Sequence, residues 1–403
     1  MAETGPPPAE DQEERTSRVP RWLAALAVAG LVVGVIVYGY LATPGWIGVS
    51  GKKFWDYLEL LIVPAALALG VYLLNRAQQE RERKAEAAQQ ERELAVESQR
   101  AQDEALQAYL DQMSQLLLDK DRPLRQAEEG DEVQTLARAR TLTVLGSLDG
   151  SRKASILRFF YESNLIKKDR VVLKLWTADL TGTCLRNARM TDTSLSGADL
   201  RGARLEDVNF AGADLSGVDL SEAYARWILF DEANLVVAKL ATADLRHASF
   251  HEADLENTDL REANLRGANL FKANLRHANL SGANLSHASL HGAILSPANL
   301  RGANLLDADL SWADLSGASL SGIDLTDANL NSARLAGANL SGANFGGADL
   351  SHATLREADL VGATVAEEQL DSVASLEGAT MPNGQKYEDW LKTKGREENS
   401  GPS

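Results

Sequence analysis

Histidine, cysteine and arginine side chains are the groups in this 403-residue chain whose types and spacing could do chemistry. All six histidines lie between 247 and 352, and His247 with His287, like His251 with His291, are 40 residues apart. In a structure that repeats every 20 residues, as argued below, each pair would lie two layers apart, or about 10 Å at a strand spacing of about 4.8 Å. Because metal ligands lie about 2 Å from the ion, we expect no metal site.

The single cysteine, Cys184, is a poor candidate for a catalytic nucleophile. No histidine or aspartate pattern around it supports thiol activation, and the chain has no glycine-rich phosphate-binding loop. One cysteine also excludes an internal disulfide framework and is typical of a reducing compartment. We therefore expect no catalytic residues, no cofactor and no enzymatic activity.

Three arginines recur at intervals of 20 residues, and aromatic residues and histidines accompany them. Like charges stacked at about 4.8 Å repel unless an anion or neighbouring acids pair with them. Clustered aromatic and apolar residues that face outward indicate a contact surface. The candidate partner-binding surface comprises Arg226, Arg246, Arg266, Tyr224, Trp227, His247 and His287. A local bulge, or docking of the protein's own helices, is the alternative interpretation of this region.

The element that must position these residues is a five-residue repeat between residues 171 and 365. From Leu175 to Val365 there are 39 fifth positions, and all but Ala225 hold a large apolar residue. A small residue, usually Ala, precedes each by two positions, Asp or Asn commonly lies between them, and Gly often follows two positions later. This period fits neither a helix, with about 3.6 residues per turn, nor a strand, whose side chains alternate.

The period is satisfied if each five-residue segment forms one side of a square coil and four sides complete a turn. The large residue and the small one would point inward. The Asp or Asn and the two residues after the large one would point outward, with Gly, Asn and Asp suited to the corners. Stacked coils would pair as short parallel strands, and each coil would need neighbours to bury its core.

This A-(D/N)-L-x-x pattern resembles the pentapeptide repeat family. The resemblance implies a right-handed quadrilateral β-helix, an all-β solenoid, over residues 171–365, and it implies no single activity. Some fluoroquinolone-resistance members of the family are acidic rods that mimic DNA and bind gyrase. The 24 acids and 15 bases of residues 171–365 permit such mimicry, whereas a membrane tether and the arginine stack argue against it.

Two apolar stretches precede the repeats, and we interpret residues 22–74 as a two-helix transmembrane hairpin inserted in the lipid bilayer. Residues 22–42 carry no charge, and residues 54–74 carry acids only near their start. Each is long enough to span a bilayer, which takes about 20 residues. Basic residues are more frequent outside the hairpin than in its loop, so the positive-inside rule places both termini in the cytoplasm. Residues 1–21, polar and proline-rich, are expected to be a disordered cytoplasmic tail.

Four residues of the hairpin could have roles beyond anchoring. Gly30 and Gly34 form a GxxxG pair that would let two membrane helices approach closely as a dimer contact, with ordinary glycine content as the alternative. Asp56 and Glu59 would share a helix face and could mark an ion pathway. Their place at the end of the span favours simple hydration at the membrane boundary.

Helical segments are expected on both sides of the repeats. Residues 75–120 are predicted to form a long charged helix or stalk, and residues 121–170 a helical capping module that covers the first coil. An independent ligand-binding domain is the alternative for this module, whose predicted core comprises Leu136, Leu142, Leu145, Ile156, Leu157, Phe159 and Phe160. Residues 366–403 are predicted to form a C-terminal cap, with a helix within 366–376 and a disordered tail from Lys392.

Together these features predict a membrane-anchored, non-enzymatic scaffold that presents a rigid repeat surface to a protein partner in the cytoplasm. The formal net charge of −16 disfavours nucleic acid as a partner. The alternatives are an acidic DNA mimic that binds gyrase or topoisomerase and a membrane sensor or channel-associated protein. A homodimer through the membrane helix or the repeats is compatible with each.

Overall fold

The computed structural model describes residues 51–120, 123–128 and 130–398, without the side chains of 51–63 and 394–398. The chain divides into two compact units, Met1–Leu94 and Ala95–Ser403. The expected tail at 1–21, the first apolar span at 22–42 and the Gly30/Gly34 pair lie outside the described residues, as do the side chains of Asp56 and Glu59.

A single helix, α1, runs from Gly51 to Leu118 and contains Pro64. Beyond Asn75 its sequence is rich in Ala, Gln, Glu and Arg, which are favourable in helices. Among the helices of the described residues, none is both long enough and apolar enough to cross a membrane.

Two short helices and the end of α1 form the helical module. Helix α2 spans Glu132–Leu145 and helix α3 spans Gly150–Glu162, after a short 3-10 turn at Leu124–Gln126. Buried residues of all these elements share one core: Tyr109, Met113, Leu124, Ala137, Leu145, Ile156, Leu157 and Phe160. The hydroxyl groups of Tyr109 and Thr141 lie 2.6 Å apart inside it.

The prediction that Leu136 belongs to this core is wrong. Leu136 is 45% exposed, because the inward face of α2 is formed by Ala137, Thr141 and Leu145. Those residues are spaced by four and so lie along one face of the helix, which leaves Leu136 on its flank. Leu142 and Phe159 pack against the core while only partly buried.

The N-terminal turn of α3 joins the helical module to the first coil of the repeats. Gly150 O accepts the Cys184 amide at 3.0 Å, as a further coil would. The Lys153 ammonium, nearly buried, donates to Asp179 Oδ1 at 2.9 Å. Strands β1 (Ile166–Lys167) and β2 (Arg170–Val171) form an antiparallel pair that leads into the coils.

The predicted solenoid of five-residue sides is confirmed. Parallel bridges join residues 20 apart, from Asp179 with Asp199 to Asn344 with Thr364. The fifth-position residues and the small residues two places before them are buried along the repeat, except Ala188 and Val365, which are partly buried. Between residues 177 and 362, the second residue after each large one takes a positive φ, except at Pro297, and this turn makes the corner of the coil at Gly and non-Gly residues alike.

The C-terminal end departs from expectation in two ways. Helix α4 covers only Glu367–Asp371, after which the chain re-enters the solenoid, with Thr354 paired to Ser375, and buries Leu376. The offset of 21 rather than 20 residues shows that α4 inserts one extra residue. Helix α5 runs from Tyr387 to Glu398, so the expectation of disorder directly after 391 is wrong for the described residues.

Candidate protein-binding surface

Two adjacent columns at one corner of the solenoid hold most of the predicted surface. Residues 20 apart lie one above another, because each bridge pairs a residue with its equivalent in the next coil. Arg226, Arg246 and Arg266 form the first column. The residue after each is the left-handed corner residue, with φ of 60° at Trp227 and 59° at His247. This geometry directs both columns away from the Leu/Ala core.

One aspartate from a neighbouring column holds two of the arginines. Arg226 Nε donates to Asp244 Oδ2 at 2.7 Å, and Arg246 donates to both carboxylate oxygens at 2.7 and 2.8 Å. The hydrogen bond from Arg246 is the largest cause of a pKa lowered to about 2 at Asp244; Arg226 adds to it and burial opposes it. The expected repulsion between these arginines is therefore offset within the chain itself.

The third arginine has a different environment. Asn264 occupies the position in its coil that Asp244 occupies one coil earlier, and the Asn264 side-chain oxygen accepts the Arg266 backbone amide at 3.3 Å. Within the described part of the chain, the Arg266 guanidinium forms no ion pair. Two of the three guanidinium groups thus share one carboxylate, and these four side chains carry a net positive charge.

Aromatic rings extend the positive corner. The rings of Trp227 and His247 stack with centroids 4.2 Å apart and planes 12° from parallel. Tyr224 and Trp227 are 53% and 54% exposed. The backbone of Tyr224 pairs with that of Asp244 in the next coil through a parallel β-bridge. We call Tyr224, Arg226, Trp227, Asp244, Arg246, His247 and Arg266 the arginine surface.

His287 does not join this cluster, although it lies in the same column. Gly267 separates it from His247, and its Nδ1 lies 2.8 Å from Asp307 Oδ2. At the next corner, Phe271 stacks between His251 and His291 with both centroid distances at 5.3 Å. Among the described residues, no group of His, Cys, Asp and Glu could hold a metal ion.

The coil around Trp227 is regular, so the bulge interpretation is wrong. The Trp227 amide donates to Arg246 O at 3.1 Å, which continues the ladder between coils. Ala225 is buried, and so are Ile228, at a position that usually holds Ala, and Phe230. Trp227 is 54% exposed in the unit that contains helices α2 to α5, so docking of those four helices does not explain it.

Sequence reasoning missed Asp244 as the group that orients the arginines. The signal was a D-L-R triplet, which places an acid and a base on one side of a coil. The same triplet pairs Asp199 with Arg201 and Asp259 with Arg261, each at 2.7 Å. At Asp244 the preceding coil adds a second arginine, because Arg226 lies directly above Arg246.

Comparison with known proteins identifies the repeat. A family model described as pentapeptide repeats matches in eight copies between residues 177 and 365. HetL, a pentapeptide repeat protein involved in heterocyst differentiation regulation from Nostoc sp. strain PCC 7120, is 36% identical, with 58% of this chain and 98% of HetL covered and a TM-score of 0.46. The chain belongs to the pentapeptide repeat family.

Other solved pentapeptide repeat structures are similar over shorter or more divergent regions. QnrB1, a plasmid-mediated fluoroquinolone resistance protein, is 25% identical, with 51% of this chain and 96% of QnrB1 covered and a TM-score of 0.24. A pentapeptide repeat protein from the Arabidopsis thaliana thylakoid lumen is 30% identical, with 35% and 88% covered and a TM-score of 0.16. No curated protein matches the chain.

Proposed function

We propose that this pentapeptide repeat protein is a membrane-attached scaffold whose solenoid binds a protein partner through the arginine surface. The observation that carries the proposal is the exposure of Tyr224 and Trp227 beside three arginines, of which two share one carboxylate. Trp, Tyr and Arg are the residue types that contribute most to binding energy in protein interfaces.

The arginine surface is suited to recognition because it is held in place. Asp244 fixes the Arg226 and Arg246 guanidinium planes, and His247 supports the Trp227 ring from one side. Side chains that are already ordered lose less conformational entropy on binding, which costs about 0.5–1.5 kcal/mol for each flexible side chain. The guanidinium nitrogens that Asp244 does not engage are donors for carboxylates of a partner.

Membrane attachment is supported by residues 64–74 of α1, the first residues of this helix whose side chains the structure describes. Residues 64–74 are apolar on every side of the helix and largely exposed, among them Leu67, Val71 and Leu74 at 65%, 56% and 71%. A helix that is apolar all round requires an apolar environment. The uncharged stretch at 22–42 and the basic residues outside the hairpin support two spans with both termini in the cytoplasm.

A second candidate, a DNA mimic that binds gyrase, rests on the excess of acids in the repeats. The 24 acids against 15 bases of residues 171–365 favour it in number. The position of the arginine surface argues against a DNA mimic, because a mimic of the DNA backbone needs a continuous negative face. We expect full-length protein in detergent to leave gyrase supercoiling unchanged at micromolar concentration. Inhibition at that concentration would instead support the mimic.

The test of the scaffold is capture of a partner from membranes by the full-length chain. We expect replacement of Arg226, Arg246 and Arg266 by Glu to reduce recovery of a specific partner at least tenfold. The matched control replaces Arg301, Arg334 and Arg356, exposed arginines far along the repeats, and should leave recovery unchanged. Equal loss in both variants would indicate a general charge effect and overturn the assignment of the surface.

A further inference from the structure

The arginine surface forms a positive stripe along one side of the solenoid. Parallel bridges join equivalent residues of successive coils, so Arg226, Arg246 and Arg266 lie one above another. Their backbones are therefore about 4.8 Å apart along the solenoid axis, as neighbouring strands of a sheet are. Among the outward residues of this side in the coils at 221–280, one is acidic, Asp244, so the stripe keeps a net positive charge.

Acidic residues border the stripe on both sides. The corner before it carries Glu222 and Glu262, and the next side with its corner carries Asp231, Glu232 and Glu252. A broad acidic ligand, such as a nucleic acid duplex with phosphates on both strands, would bring its charges against these acids as well as against the arginines. The stripe therefore fits an acidic ligand that is narrow, about the width of a single polypeptide element.

Apolar surface is available at one end of the stripe. Tyr224 and Trp227 lie on either side of Arg226 in the same coil, and both are more than half exposed. One coil later, Asp244 and His247 take the places of Tyr224 and Trp227. A ligand that follows the arginines thus contacts apolar side chains on both of its flanks near Arg226 and polar ones further along.

The arginines have hydrogen-bond donors left for such a ligand. A guanidinium carries five N–H donors. Arg226 donates to Asp244 through Nε, and Arg246 donates through Nε and one Nη atom. The side chains of these two arginines are 49% and 35% exposed, so a carboxylate can reach the remaining donors. Arg266, which is exposed, has its whole guanidinium available for an ion pair within the described part of the chain.

The spacing of the arginines matches an α-helix better than an extended strand. The outer two arginines are two coils apart, or about 9.6 Å. Helical residues at i, i+4 and i+7 lie on one face and span about 10.5 Å, so three acids stay in step with three arginines. Three residues on one face of a strand, at i, i+2 and i+4, span about 13.6 Å and lose that register.

We propose that the arginine surface binds an α-helix of the protein partner, with the helix axis along the stripe. The helix presents carboxylates at i, i+4 and i+7 to the three arginines. Apolar residues on both sides of the carboxylate that meets Arg226 pack against Tyr224 and Trp227. Helices are commonly recognised through residues at this spacing. The inference names the kind of partner that the proposed function requires and so rests on it.

Binding of two peptides to the full-length protein in detergent tests the inference. Both peptides are fluorescently labelled, alanine-rich, helical by circular dichroism and identical in composition. The in-register peptide has Glu at i, i+4 and i+7, with Leu directly before and after its first Glu. The scattered peptide distributes the same residues around the helix. We expect the in-register peptide to bind at least tenfold more tightly, measured by fluorescence anisotropy.

Charge reversal at Arg266 tests the register of the helix. Arg266→Glu should weaken binding of the in-register peptide at least tenfold. Lys in place of the third Glu of the peptide should restore binding to this variant, whereas Lys in place of the first Glu should not. The control is Arg301→Glu, at an exposed arginine on another side of the solenoid, which should leave binding unchanged.

Equal binding of the two peptides, binding of neither, or binding that ignores Arg266→Glu would overturn the helix as the ligand. Tighter binding of a third peptide, with acids at i, i+2 and i+4 and prolines between them, would overturn it in favour of an extended segment.

Failure of this inference differs from failure of the proposed function. If capture of a membrane partner depends on the arginines while the two peptides bind equally, the helix is wrong and the scaffold stands. If the in-register peptide binds selectively while capture ignores the arginines, the surface recognises acidic helices and its assignment to the captured partner is wrong. If neither result depends on the arginines, both proposals are wrong.

Discussion

At the residue scale, the corner position of each repeat decides how the surface is presented. Except at Pro297, the residue there has a positive φ whether it is Gly, Trp, His or Val, because this turn closes the coil. Gly accepts this conformation without steric cost, whereas a side chain with a branched Cβ does not. Non-glycine corner residues such as Trp227 and Val237 are therefore informative in a sequence with so regular a core.

Val237→Gly is expected to stabilise the protein. Relief of left-handed strain contributes about 1 kcal/mol, partly offset by the greater freedom of Gly in the unfolded chain. Gly217→Val, the reverse change one coil earlier, should destabilise by about 1–2 kcal/mol. Urea unfolding measures both. Destabilisation by Val237→Gly would show that the valine packs favourably enough within the chain to offset its strain.

Asp244→Asn is expected to remove a pH-dependent contribution to stability. The folded pKa of about 2 lies below the unfolded value near 3.8, so the contribution is present above about pH 4 and is lost as pH falls through about 2. After allowance for solvent screening, it is worth about 1–2 kcal/mol at neutral pH. Urea unfolding at pH 7 and pH 2.5 should show wild type losing more than the variant. The control is Asp324→Asn, at a carboxylate that bonds Thr326 and no described arginine.

At the element scale, a helix contributes hydrogen bonds to the coil ladder at each end of the solenoid. In the regular ladder, the carbonyl of each small residue accepts the amide 21 positions later, as Ala343 O accepts Thr364 N–H. In helix α4, the backbone amide of Gln369 does not donate to Ala348 O, the carbonyl 21 positions earlier. Its side-chain amide donates instead, at 2.7 Å each, to Ala348 O and Phe345 O.

Gln369→Glu is expected to destabilise the C-terminal end by about 1–3 kcal/mol, because a carboxylate cannot donate to these two carbonyls. The substitution keeps the acceptor for the Ala366 amide and the size of the side chain. Hydrogen exchange should become faster for residues 366–381 and stay unchanged at the first coils. Glu368→Ala, on the exposed side of α4, is the control. Unchanged exchange would show that water satisfies the carbonyls.

Gly150→Ala is expected to detach the helical module from the first coil. A Cβ at this position would lie 2.0 Å from Gly182 O, so α3 or the coil must move. We expect a loss of about 3 kcal/mol or more, typical of overpacking against rigid backbone. Gly146→Ala, where the added Cβ meets nothing closer than 3.6 Å, should be nearly neutral. Thermal unfolding followed by circular dichroism compares the two.

At the scale of the whole molecule, the fold separates stability from recognition. The inward Leu and Ala residues hold the coils together and repeat with little variation. The outward positions are free to vary, because each contacts only its neighbours above and below. A solenoid with this division can carry charged and aromatic side chains at one corner without disturbing its core.

Membrane attachment leads to a whole-molecule prediction. Replacing Leu69 and Leu73 by Arg should release at least half of the full-length chain from carbonate-washed membranes, because charged residues are costly in hydrocarbon. Replacing Leu94 and Val96, which are also exposed on α1, should leave it in the membrane fraction. Release of wild type by carbonate would contradict the proposed spans.

The sequence by itself determined the solenoid, its coil length and its core. A strict period of five, with a large and a small apolar residue in every segment, buries these residues in a coil of four sides and in neither helix nor strand. The columns of the candidate surface followed from the same period.

Only the tertiary structure decided what those columns do. It showed that Asp244 holds Arg226 and Arg246, because that contact depends on side-chain conformations across two coils. It showed the one-residue insertion at α4 and the exposure of Leu136, because both depend on how helices pack rather than on helix propensity. The spacing placed the residues, whereas packing and hydrogen bonding determined which of them remain available to a partner.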